Sequence, residues 1–339
     1  MRKLRVVHFG VAHDHSGLTL ETVRKFPDLY EVVGVCEPCE SDRKRVENQP
    51  AYAGLPWMSE EELFALENID CALVEGDELR ALEDAEKCIE KGWHVHMDKP
   101  AGTDCARLEK MLQKAKEKGL VFQTGYMYRY NPAMKYILKK VRSGELGDIA
   151  SIETSMGVRH PAEKRDWLNR FPGGMMFFLG CHLIDMIYQI AGVPEKIIPQ
   201  MCSTMADGVK APDNGFAAMV YPHGVATVRV NAAEVNGYNR RHLVVCGTKG
   251  TIEVRPLECP TQVKEATLER AKGLDWSDSK FDVFPGYFSG RYDEMMTEFA
   301  ACVRGDMQNP FDYAYEARLQ RLVMAACGAD VDFAGPIEL

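Results

Sequence analysis

The sequence predicts an α/β chain: a doubly wound parallel sheet first, then an α+β region with a large, mostly antiparallel sheet. Two observations carry this. In the first 125 residues, short apolar runs alternate repeatedly with helical stretches, and strands joined through helices pair in parallel with right-handed crossovers. After that point the rhythm changes to longer β-type segments separated by turn signals, which is the pattern of antiparallel pairing. The division is expected near residue 125, giving domains 1–125 and 126–339.

Leu4 to Phe9 is a short apolar strand ending at Gly10, and a helix follows from about Gly17 to Phe26. Tyr30 to Cys36 reads as the second strand. Ser59 followed by Glu62 has the form of a capping box opening a helix. Ile69 to Val74 is a buried strand. Ala81 to Lys91 is helical and stops at Gly92, and Trp93, Val95 and Met97 alternate as a buried strand. Thr103 to Lys118 is helical, and Leu120 to Thr124 is the last strand of this part. In the second part, helices are expected near 131–143, 175–191, 292–304 and 313–326. Strands are expected over 149–158, 215–221, 225–233, 242–246 and 251–254, with Pro222-His223-Gly224 and Gly247-Thr248-Lys249-Gly250 as turns.

Composition narrows the function. The chain has 339 residues and a net charge of −9, which argues against a phosphate-backbone partner, so no nucleic acid is expected. No apolar run approaches the length of a membrane span, so no membrane partner is expected. The N-terminus enters a strand at once without an export signal, and eleven cysteines are scattered rather than paired. Both features point to a cytoplasmic protein with reduced thiols. The Cys36-x-x-Cys39 pair stands alone and reads as two unrelated thiols.

Two stretches carry candidate chemistry. Asp98-Lys99-Pro100 closes a predicted strand. Ligands bind at the carboxyl ends of strands in open α/β sheets, and charges placed there are costly unless paired or used. Lys99 is therefore the first candidate for substrate contact; the alternative is a surface Asp–Lys pair before a turn. The second stretch is Gly10-Val11-Ala12-His13-Asp14-His15, placed where a phosphate-binding turn follows a first strand. Only the first glycine of the usual three is present, with Ala12 and His15 at the other two positions. Glu37, at the end of the second strand, can bond ribose hydroxyls and would repel a 2′-phosphate. That favours NAD over NADP, with Arg43 and Lys44 pulling the other way. His-x-His has no third metal ligand at sensible spacing, so no metal is expected.

Together these segments resemble the glucose–fructose oxidoreductase/inositol dehydrogenase (Gfo/Idh/MocA) family over nearly the whole chain. The family's Glu-Lys-Pro appears as Asp98-Lys99-Pro100. The resemblance extends to Gly125-Tyr126-Met127-Tyr128-Arg129-Tyr130-Asn131-Pro132, to Ser143-Gly144-Glu145-Leu146-Gly147 and to Gly173-Gly174. It continues in Gly180-Cys181-His182-Leu183-Ile184-Asp185 and in the Gly247 to Thr251 turn. It implies a Rossmann domain, an α+β domain whose open sheet builds dimers or tetramers, and hydride transfer between nicotinamide and a sugar or cyclitol carbon. His182 matches the family's catalytic histidine and Lys99 its lysine. A histidine suits removal of a hydroxyl proton, and an ammonium stabilises the developing alkoxide. Asp98 would orient Lys99. Asp185, one turn beyond His182, could position the imidazole, bond substrate, or be a helix-surface acid.

Two departures bear on this. The family's acid four residues before the histidine is Phe178, which leaves three readings: His182 works with Lys99 and a water, or Tyr126, Tyr128, Arg129, His160 or Asp166 fills the gap, or the oxidoreductase chemistry is lost. After the third strand, Glu75-Gly76-Asp77 replaces Thr-Pro and adds negative charge beside the cofactor. Arg159 to Trp167 is a charged, aromatic stretch in which His160 and Trp167 could meet a sugar, Trp167 by stacking, or form a solvated loop. Gly286 to Tyr292 is a similar loop candidate. The leading expectation is an NAD-dependent dehydrogenase. The rivals are a lyase or glycosidase that uses NAD transiently, and a non-catalytic dinucleotide-binding regulator.

Overall fold

The computed structural model describes residues 2–258, 261–268 and 290–339. The chain forms two compact units. One comprises Met1–Met127, Gly290–Gln320 and Pro336–Leu339; the other comprises Tyr128–Ser289 and Arg321–Gly335. The end of the Gly286 to Tyr292 candidate loop is described, whereas Gly286 to Ser289 lie outside the described residues.

In the first unit, β1 (Leu4–Phe9), α1 (Ser16–Lys25), β2 (Tyr30–Cys36), α2 (Glu40–Val46), β3 (Trp57–Met58) and α3 (Glu60–Ala65) form the first half. The second half is β4 (Cys71–Val74), α4 (Ala81–Lys91), β5 (His94–Met97), α5 (Cys105–Glu117) and β6 (Phe122–Thr124). The six strands run in the order β3-β2-β1-β4-β5-β6, every neighbouring pair parallel. Strand order therefore reverses between β1 and β4, the place where such sheets bind ligands. β4 is buried at every residue, as a strand covered on both faces must be. The Ser59–Glu62 capping box forms as the sequence implies, and Gly92 ends α4 in the left-handed conformation (φ 89°).

Asp84 sits in the first turn of α4 with its carboxyl buried, 3.6 Å from Arg80 and 3.8 Å from Lys87. Burial outweighs both cations and lifts its pKa to about 6. The unfolded chain therefore loses this proton first, so stability falls as pH rises from about 4 to 6. Asp84→Asn is expected to match the parent near pH 4 and exceed it by about 2–3 kcal/mol at pH 7. Denaturant unfolding at several pH values reads this directly, and a gap independent of pH would contradict it.

The second unit holds α6 (Pro132–Arg142), β7 (Ile149–Gly157), α7 (Ala162–Trp167), α8 (Cys181–Ala191) and the strands β8 (Lys196–Cys202), β9 (Asn214–Tyr221), β10 (Gly224–Asn231), β11 (His242–Gly247), β12 (Gly250–Val254) and β13 (Val263–Thr267). Its seven strands run β13-β12-β11-β7-β10-β9-β8, and only the β7–β10 pair is parallel. β8 and β13 were not expected. One sheet face is core, through Ala226, Val228 and Val230 of β10. The other shows Ile198, Phe216 and Val225, each more than 40% exposed. The helix predicted over 175–191 is two pieces: one π-helical turn, Met176–Gly180, running into α8. α9 (Asp293–Arg304) belongs to the first unit, and α10 (Tyr313–Ala326) starts there and ends in the second.

The ten cysteines among the described residues form no disulfide. Cys36 is buried, which pushes its thiol up to about 12. No helix among the described residues is long and apolar enough to cross a membrane.

Candidate functional site

In the first unit the candidates gather where strand order reverses. Gly10 leaves β1 at φ +85°, and a β-carbon there would lie 2.3 Å from the Gly76 Cα, so the ends of β1 and β4 admit no side chain between them. The turn is fastened from three sides. Val11 N–H donates to Glu37 Oε2 at 2.7 Å, His13 N–H donates to the Glu75 carbonyl at 3.0 Å, and Arg45 Nη2 donates to the carbonyls of Val11 (3.1 Å) and Ala12 (3.2 Å). Glu37 also accepts from Cys39 N–H at 2.8 Å, so it is a built-in part of the turn rather than a solvated loop acid. The Val11 side chain is core, leaving its backbone to the turn. α1 begins at Ser16 with no acidic residue in its first turn, as an anion-binding helix start requires.

Asp98, Lys99 and Pro100 close β5, all buried, and the Lys99–Pro100 peptide is cis. Asp98 Oδ1 accepts from the Lys99 amide at 2.7 Å. Its Oδ2 lies 3.3 Å from His13 Nδ1 and 3.2 Å from His15 Nδ1. This corrects the expectation that His-x-His lacks a third partner. The partner is 83 residues away in sequence, and parallel pairing of β1, β4 and β5 brings it in. His13 Nε2 faces the Lys99 carbonyl at 3.1 Å. Burial drives His13 down to about 3, so it is neutral, and hydrogen bonds from the Lys99 amide and the His15 ring, with the Lys99 charge, hold Asp98 below the carboxylate range against the cost of its burial. Glu75 is fully buried and pushed well above the carboxylate range, by burial first and by Asp98 second.

Three contributors had no signal in the sequence. Glu78 Oε1 lies 3.8 Å from His13 Nε2. Arg45 braces the first turn. Gln320, on α10, donates to the Gly102 carbonyl at 2.5 Å and accepts from Ala101 N–H at 3.2 Å, fixing the loop after Pro100.

In the second unit, His182 is buried on α8 with its ring edge-on to Tyr128 at 5.0 Å. Tyr128 OH donates to Glu258, which also takes Tyr238 OH and Arg241. Asp185 is 1% exposed and so is not a surface acid. Arg129 Nη2 donates to it at 3.0 Å and Nε at 3.2 Å, and Gln189 donates at 3.0 Å. Phe178 lies in the π-turn, edge-on to Trp167 at 5.4 Å and to His160 at 6.3 Å. The Lys164 ammonium sits 3.7 Å above the Trp167 ring, a cation–π contact. Asp166 is exposed.

The six-stranded order and the turn at its reversal point define a doubly wound α/β fold of the dinucleotide-binding type. A model of the oxidoreductase family's NAD-binding Rossmann fold matches residues 6–126, and a model of the GFO/IDH/MocA C-terminal domain matches residues 134–253. The chain belongs to the Gfo/Idh/MocA oxidoreductase family, and its first unit carries the NAD(P)-binding Rossmann domain. It is 27% identical over 211 residues to the trans-1,2-dihydrobenzene-1,2-diol dehydrogenase of Mus musculus, covering 60% of this chain and 61% of that protein. The chain thus spans about three fifths of the length of that curated relative. Among solved structures, a putative NADPH-dependent oxidoreductase from Desulfitobacterium hafniense matches with TM-score 0.83 at 17% identity, over 97% of this chain and 95% of that one. The WlbA dehydrogenase from Bordetella pertussis, in complex with NADH and UDP-GlcNAcA, matches with TM-score 0.77 at 19% identity, over 96% of each chain. At such identities the likeness is one of fold.

Proposed function

We propose that the chain is an NAD-dependent oxidoreductase acting on a hydroxyl-bearing carbon of a sugar, glycoside or cyclitol. The observation that carries this is the buried Asp98-Lys99 pair at the end of β5, beside the fastened turn at the sheet's reversal point. Gly10, Val11, Ala12, His13 and His15 would hold the dinucleotide phosphates, and Glu37, Glu75, Asp98, Lys99 and Pro100 the ribose and nicotinamide side. NAD is favoured over NADP because Glu37 presents a carboxylate at the end of β2. The basic residues nearby are engaged elsewhere: Arg43 stacks on Trp57 at 5.0 Å and pairs with Glu47, and Lys44 pairs with Glu40. When bound, the nicotinamide ring supplies the hydride acceptor.

The chain's own groups do the rest. Lys99 donates to the substrate oxygen and stabilises its negative charge. His182 takes the hydroxyl proton as the C–H leaves as hydride. Tyr128, backed by Glu258, with His160 and Trp167, contacts substrate. Arg129 and Asp185, paired with each other, hold α8 rather than the sugar. The exposed Ile198, Phe216 and Val225 support a homo-oligomer, a dimer or tetramer, formed through the open sheet face.

Phe178 favours a second reading. An aromatic ring packed against Trp167 and His160 offers no carboxylate, and a dinucleotide-binding regulator needs none. Titration with NAD and NADP, followed by a screen of sugars, glycosides and cyclitols for reduced nicotinamide, separates the readings. NAD at a hundredfold excess over Kd is expected to stabilise the protein by about 2.7 kcal/mol. No stabilisation by either dinucleotide removes the proposal, and stabilisation without turnover on any polyol moves it to the regulator.

A further inference from the structure

We propose that His13, His15 and Asp98 form a binding site for one divalent transition-metal ion, with His13 Nδ1, His15 Nδ1 and Asp98 Oδ2 as ligands. The site lies wholly in the first unit and does not depend on hydride transfer. Its three donor atoms lie within 4.8 Å of one another. Ligands at about 2.0–2.2 Å from a tetrahedral ion stand roughly 3.3–3.5 Å apart. The two carboxylate–imidazole separations, 3.3 and 3.2 Å, already sit at that spacing. The remaining edge closes by small rotation of the His15 ring, which is 21% exposed and carried by a turn.

The surroundings are those of a ligand set. A metal-binding imidazole typically gives its other N–H to a carbonyl or carboxylate, which fixes the tautomer. His13 does this through Nε2, 3.1 Å from the Lys99 carbonyl, with Glu78 at 3.8 Å behind it. Nδ1 is then the nitrogen with the free lone-pair direction, 3.3 Å from Asp98 Oδ2. The His15 amide reaches the same Nδ1 at 3.1 Å and yields it when a cation binds. Asp98 is held in turn by the Lys99 amide at 2.7 Å.

Two imidazoles and one carboxylate suit zinc, cobalt, nickel or iron, and three protein ligands leave a position open for water or another oxygen donor.

The test uses the full chain, stripped with chelator and free of dinucleotide, titrated with Co²⁺ and followed by visible d–d absorption. One Co²⁺ per chain is expected. His15→Ala and Asp98→Asn should each weaken binding at least about a hundredfold, while His223→Ala, an exposed turn histidine, should bind like the parent. Should a variant not fold, crystals of the parent soaked in Zn²⁺ decide: an anomalous peak is expected between the three ligand atoms. No stoichiometric Co²⁺, unchanged affinity in both variants, or a peak elsewhere overturns the site. A parent that binds dinucleotide but not Co²⁺ loses only this site; one that binds Co²⁺ but no dinucleotide loses only the oxidoreductase reading.

Discussion

Replacing Lys99 by alanine is expected to cut kcat/KM by about 10²–10³ on whichever polyol the screen returns, the usual effect of removing a donor that stabilises a developing oxyanion. The fall should lie mostly in kcat, because the alkoxide charge is greatest in the transition state. Dinucleotide affinity should change far less, since the turn that starts at Gly10 is fastened by Glu37, Arg45 and the Glu75 carbonyl. None of those bonds involves the Lys99 side chain. His182→Ala should lower kcat/KM as well and also erase the acid limb of its pH profile, the mark of a lost base. A Lys99→Ala enzyme that keeps the parental rate removes Lys99 from the chemistry whatever the dinucleotide does.

How much of this was legible in the sequence depends on distance along the chain. The parallel sheet was, because each strand announces itself over a few residues: an apolar run, then a glycine or a cap. β8 was not, because Pro199 interrupts it and its burial alternates only between half-buried and exposed. The π-turn before α8 was hidden because Met175 to Cys181 is an unbroken run without a charged or amide side chain, so nothing in it marks a change of pitch. The site divides the same way. Asp98-Lys99-Pro100 and His-x-His were each visible, but their meeting depends on β1 and β5 flanking β4, which no local pattern states. Arg129 enters the sequence reading as a group that could fill the gap at Phe178, and Asp185 as one that could position the His182 imidazole or bond substrate. Their 56-residue separation concealed that they satisfy one another.

That pair yields the largest expected effect on stability. Arg129 and Asp185 are both nearly solvent-free, and the guanidinium spends Nε and Nη2 on the carboxylate. Asp185→Ala leaves that cation buried without its counter-charge, which costs about 3–5 kcal/mol. For a unit of this size the loss corresponds to a fall in Tm of roughly 6–20 °C. The double variant Arg129→Met, Asp185→Leu should recover most of it, since removing both charges together also removes the desolvation cost. A carboxylate that bonds substrate behaves differently. Its removal raises KM with little change in Tm, and the double variant is as impaired as the single one. Thermal unfolding alongside KM for the three proteins therefore separates a group that holds α8, and with it His182, from one that touches the sugar. The buried bidentate geometry favours the first: an acid already accepting from Arg129 and Gln189 has little capacity left for a hydroxyl.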